Sequence, residues 1–98
     1  MSDIYDIYGE EYNKDSWQKF VEIHQELYDP IDPLLKTKMS QTTLPKDIQI
    51  VLLAKLGEYT FQWIERTIPA LDHKTPLSYL QTEQGTNALR AAIMRMPN

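Results

Sequence analysis

Residues 63–96 read WIERTIPALDHKTPLSYLQTEQGTNALRAAIMRM, and the helix stops and starts in this stretch decide the fold class. Pro69 closes one helix, Thr75-Pro76 opens a short one, and Thr82 opens a long one. Proline at a first helical position sacrifices no intrahelical hydrogen bond, and a Thr hydroxyl before a helix can accept from the backbone N–H groups of its first turn. For Thr82 the donors would be Gln84 or Gly85, and Glu83 complements the positive end of the helix dipole. Ala88, Leu89, Ala92, Ile93 and Met96 then recur at helical intervals along one face, which predicts a buried stripe. Asn87, Arg90, Ala91, Met94 and Arg95 fall on the other sides, and Pro97 ends the pattern. In the short helix after Pro76, Leu77 and Leu80 are expected to point inward with Tyr79 at an edge. The residues before it form a turn, in which Asp72 suits a bond from its carboxylate to the backbone two residues on.

A tryptophan-bearing helix, Pro-Ala-Leu, a polar turn, Thr-Pro-Leu and Thr-x-x-Gly opening a last helix together resemble the toxin-binding domain of Xre/MbcA/ParS-type antitoxins. Trp63, Pro69, Leu71, Thr75, Pro76, Leu80, Thr82, Gly85 and Arg95 carry the resemblance, which spans residues 57–96. Two positions depart from the pattern: Ile68 stands where asparagine often precedes the proline, and His73 where a glycine is common.

The resemblance implies a protein-binding role, in which the domain neutralises a RES-type toxin that consumes NAD by covering its active site. It also implies that the end of the last helix faces the toxin, which singles out Arg90, Met94, Arg95, Met96, Pro97 and Asn98 as partner-binding residues. In that arrangement Arg90 and Arg95 project from the helix to grip acidic groups at the pocket rim, as a planar guanidinium can. Met96, Pro97 and Asn98 reach toward the opening.

Upstream, the apolar residues Trp17, Phe20, Val21, His24, Leu27 and Tyr28 keep a helical interval, with Asp15 or Ser16 as a cap and Asp29-Pro30 as the boundary. Asp32-Pro33 restarts a short helix through Leu34, Leu35 and Met39. Pro45 opens a helix with Ile48, Val51, Leu52 and Leu56 on one face, broadened by Ile50 and Leu53, and this element is expected at the centre of the core. Gly57 is read as its stop, and Tyr59 to Thr67 as a further helix. The fold class is therefore all-α: a bundle of five to six short helices over residues 15–98, preceded by a flexible, acidic, Tyr-rich segment over residues 1–14. Ile4, Tyr5, Ile7 and Tyr8 make that segment either a frayed terminus or an adhesive one.

Composition narrows the function. The chain has 98 residues, enough for one core, and no cysteine, which removes disulfides and thiolate metal sites and favours the cytoplasm. No apolar run approaches the roughly 20 residues of a membrane span, and no signal peptide pattern is present. Residues 1–32 carry a net charge of −7 and residues 33–98 a net of +3, so attraction between the two parts is the simplest reading. An acidic N-terminal third with one good helix and one short one does not make a helix-turn-helix, and direct nucleic-acid binding is not expected. Glycines are too scattered for a phosphate loop, and His24 lacks converging donors for a metal. An enzyme is therefore not expected, and neither is a cofactor. The alternative to an antitoxin-like inhibitor is a self-associating structural or regulatory helical module, a homo-oligomer without a toxin.

Overall fold

In the computed structural model, which describes residues 12–96, the chain is arranged around the helix Lys46–Leu56. Residues 48–53 of this helix are buried one after another, as befits a helix apolar on all sides. Its one buried polar side chain, Gln49, is satisfied by donating from Nε2 to the Leu44 carbonyl at 2.7 Å. In chain order the α-helices are α1 Lys14–Tyr28, α2 Pro33–Ser40, α3 Lys46–Leu56, α4 Thr60–Trp63 and α5 Glu83–Met94. Short 3-10 turns at Gly57–Tyr59, Pro69–Leu71 and Pro76–Gln81 join the later ones. No strand occurs among the described residues, only a single bridge between Ile68 and Lys74. None of their helices is long and apolar enough to cross a membrane. The expectations for Ile4, Tyr5, Ile7 and Tyr8, and for Pro97 and Asn98, lie outside the described residues.

α1 lies along α3 and buries Trp17, Val21, His24 and Tyr28, a stripe at intervals of three and four. The stripe is narrower than the apolar pattern predicts: Phe20 is half-buried and Leu27 is 59% exposed, because α3 covers only one side of α1. The cap is Asn13, whose side chain accepts from the Ser16 N–H at 3.0 Å, rather than Asp15 or Ser16. Asp15 thereby falls in the first turn, where its charge is favoured. His24 is a packed residue: its Nδ1–H donates to the Phe20 carbonyl at 2.7 Å and its ring lies 4.3 Å from that of Phe20. Asp32 caps α2 by accepting from the Leu34 N–H, and Met39 is fully buried while Leu34 is exposed.

Gly57 ends α3 at φ 56°, a conformation open to glycine and costly for other residues. The helix expected from Tyr59 to Thr67 is cut to Thr60–Trp63. Beyond it the backbone groups of Ile64 and Ile68 have other partners: the Leu77 N–H donates to the Ile64 carbonyl, and Ile68 exchanges bonds with Lys74 and His73. Those bonds close a loop whose apex, Asp72 and His73, takes two successive left-handed conformations at φ 58° and 57°. Both residue types visit this region more readily than most, so His73 adopts it in place of a glycine. The Pro76–Gln81 turn corrects the expected phase. With three residues per turn, Pro76 and Tyr79 share the inward side, and Leu77 and Leu80 are only half-buried. Tyr79 is 0% exposed, and its hydroxyl donates to the Leu71 carbonyl at 2.9 Å, which satisfies a buried acceptor in the preceding turn.

Three lysines of the later chain meet α1 and its cap through rings and backbone. Lys36 and Lys46 sit 4.5 and 5.0 Å from the centre of the Tyr28 ring, and Lys55 sits 5.6 Å from that of Phe20. Lys36 also donates to the Asp29 carbonyl, and Lys46 to the Tyr28 hydroxyl.

Trp63 is 9% exposed and sits beside the buried Ile64, so Trp63→Ala should lower stability by about 3 to 5 kcal/mol in a urea melt. Gly57→Ala should cost about 1 kcal/mol or more in the same measurement although no atom lies within 4 Å of the added methyl, because the penalty is in the backbone.

Candidate functional site

α5 is the element on which the expected partner-binding residues fall, and its geometry begins at Thr82. The Thr82 hydroxyl accepts from the Gly85 N–H at 2.9 Å, which starts the helix at Glu83 as predicted. Gly85, Ala88, Leu89, Ala91 and Ile93 are buried, while Ala92 and Met96 are half-buried. Ala91, assigned to the open side by spacing, is buried because α5 is flanked by two neighbours: the Pro76–Gln81 turn on one side and α1 on the other.

Arg90 departs most from expectation. Its guanidinium does not project toward solvent; it closes on Asp47 in the first turn of α3. Arg90 Nε donates to Asp47 Oδ2 at 3.0 Å and Nη2 to Oδ1 at 3.3 Å, while Nη1 donates to Asn87 Oδ1 at 2.7 Å. Trp17 Nε1 donates to the same Asp47 Oδ2 at 2.8 Å, and the Ile48 N–H to Oδ1 at 2.9 Å. One carboxylate thus gathers an indole from α1, a guanidinium from α5 and the opening of its own helix. The side chains of Arg90 and Asp47 are 17% and 32% exposed, so the pair is sheltered without being dry. No local pattern announces this contact, since its partners are 30 and 43 residues apart.

The end of α5 is more open. Arg95 caps the helix, exposed, with its N–H donating to the Ala92 carbonyl at 3.1 Å, and Met94 and Met96 are half-buried beside it. Ala91, Met94 and Arg95 line a groove of about 310 Å³ with Asn13 and Ser16 from the start of α1. The sequence reading missed Asn13 and Ser16, because only the packing of α1 on α5 brings them there. The arrangement offers an adaptable thioether, a cation at the negative end of a helix dipole and polar side chains around a shallow apolar floor. It suits contact with a protein surface.

Two serines and a histidine elsewhere in the fold have structural partners. The Ser40 and Ser78 hydroxyls donate to the carbonyls of Thr37 and Thr75, each at 2.6 Å, and His24 donates to Phe20. No three His, Asp or Glu side chains converge as for a metal among the described residues.

Because Asp47 is shared, Asp47→Asn should lower stability by about 1.5 to 3 kcal/mol, the range for hydrogen bonds to a charged group. A double-mutant cycle with Arg90→Met, read by chemical denaturation, should return a coupling of about 1 kcal/mol or more. Arg90→Glu would set two carboxylates against each other and therefore reports on folding, not on partner binding.

A search of curated proteins finds no significant match, and neither does a search of solved structures. A family comparison does, over the segment that runs from the end of α3 through α5. Residues 58–97, under half of the chain, match the family model of the antitoxin Xre/MbcA/ParS C-terminal toxin-binding domain.

Proposed function

We propose that this chain acts as an antitoxin: it binds a RES-type, NAD-consuming toxin and covers the toxin's active site with the end of α5. The match of residues 58–97 to a toxin-binding domain carries the reading. The geometry supports it, because that segment ends in an exposed Arg95 flanked by Met94 and Met96, at the rim of a groove. In this proposal Arg95 grips acidic groups beside the toxin's pocket, and Met94 and Met96 supply apolar contact. Arg90 has a different part. Held by Asp47, it fixes the direction of α5, so that the end of the helix is presented rigidly. A preorganised surface loses less freedom on binding than a mobile one.

The proposal is of inhibition by coverage, without chemistry of the chain's own and without DNA contact by residues 12–40. α1 carries Glu22 and Glu26 on exposed positions, which repel phosphate.

Titrating the chain into a cognate RES-type protein while following NAD consumption tests the proposal. Wild type should stop the reaction near equimolar ratio. Arg95→Glu should raise Kd by about tenfold or more, as a reversed interfacial charge does, with helix content unchanged. Unhindered NAD consumption at saturating wild-type protein would remove the inhibitor reading.

A further inference from the structure

We propose that two copies of this chain pair through α1, antiparallel and about a twofold axis near residue 22. The inference does not rest on the toxin reading, since the surface lies outside residues 58–97. Its basis is an apolar face that the described residues leave open. Ile23 is 69% exposed and Leu27 59% exposed, and with the half-buried Phe20 they border a groove of about 590 Å³ against Ala54, Lys55 and Leu56 of α3, where Lys55 lies over the Phe20 ring. Two large aliphatic side chains, one turn apart beside a groove, cost free energy in water and mark a contact surface.

Charge says what covers it. Phe20, Ile23 and Leu27 follow intervals of three and four, as in the seam of paired helices. Lys19 and Glu26 flank that seam on one side, seven residues apart, and neither forms an ion pair among the described residues. When such a helix meets its own copy head to tail, with Ile23 against the partner's Phe20, Lys19 comes beside the partner's Glu26 and Glu26 beside the partner's Lys19. Both pairs are attractive, and they form by symmetry from a single register. The neighbouring register, with Ile23 against the partner's Leu27, sets Glu26 against the partner's Glu26 and is opposed. A surface complementary to its own inverted copy fits a second copy of the chain better than an unrelated helix. Within one chain the two charges cannot substitute for this, since seven residues along a helix separate them by roughly 10 Å.

Sedimentation equilibrium of the full chain, from micromolar to millimolar concentration, tests the proposal. Wild type should move from monomer to dimer mass as concentration rises. Lys19→Glu and Glu26→Lys, each of which turns two attractive contacts into repulsive ones, should each weaken the dimer by about tenfold. The combined Lys19→Glu, Glu26→Lys chain should recover to within about threefold of wild type, because the pairs are restored with exchanged signs. Ile23→Glu should abolish dimerisation with an unchanged circular dichroism spectrum, since the side chain is exposed in the monomer. A wild-type chain that stays monomeric throughout, or a double reversal no tighter than either single one, overturns the pairing.

Discussion

The carboxylate of Asp47 is the joint on which the arrangement of the helices depends. The helices are held together by their packed apolar faces. Here α1, α3 and α5 are also pinned at one point, by Trp17 Nε1 and the Arg90 fork on the same two oxygens. Asp47 suits the role for a second reason. It stands in the first turn of α3, where the unpaired N–H groups of the helix and its dipole both favour a negative charge. The carboxylate is therefore stabilised by its own helix before it receives the other two. Removing it would leave a guanidinium and an indole N–H without that acceptor in a sheltered site, which is more costly than the loss of any single bond.

Around that joint the chain uses two kinds of cement. The interior, from Ile48 to Leu53 of α3 out to Trp63, Leu71, Tyr79 and Leu89, is apolar, and its few polar groups are matched: Thr60 donates to the Leu52 carbonyl, and Gln49 to that of Leu44. At the rim, lysines lie over the rings of Tyr28, Phe20 and Phe61. Such contacts cover aromatic edges with aliphatic stems while leaving the ammonium groups partly hydrated. α5 is set upon this frame by its buried small residues, which allow close approach.

The fold was legible where its cause was local. Thr82 and Asp32 cap their helices, Gly57 stops α3, and residues 48–53 fill the core, all from propensities that act over a few residues. The readings that needed correction depend on phase or on distant partners. Tyr79 is inside instead of Leu77 and Leu80 because a 3-10 turn shifts which residues share a side. Leu27 is outside because nothing in the described chain covers that flank of α1. For the candidate site, Arg95, Met94 and Met96 lie at the end of α5 as read, whereas Arg90 is held by a residue 43 positions away that no periodicity reveals. Hydropathy does not distinguish an arginine that closes on a distant carboxylate from one exposed at a helix end.

The position of α1 has a consequence for how events at the two grooves relate. Ser16 lines the groove at the end of α5 and Ile23 borders the one against α3, and these two residues are separated by only about 10 Å of helical rise. Whatever settles on one therefore lies within a side chain or two of whatever settles on the other, across a single helix anchored by Trp17. If one occupant strengthens or weakens the other, the effect is returned by the same factor, and the stoichiometry of any assembly depends on the sign of that coupling.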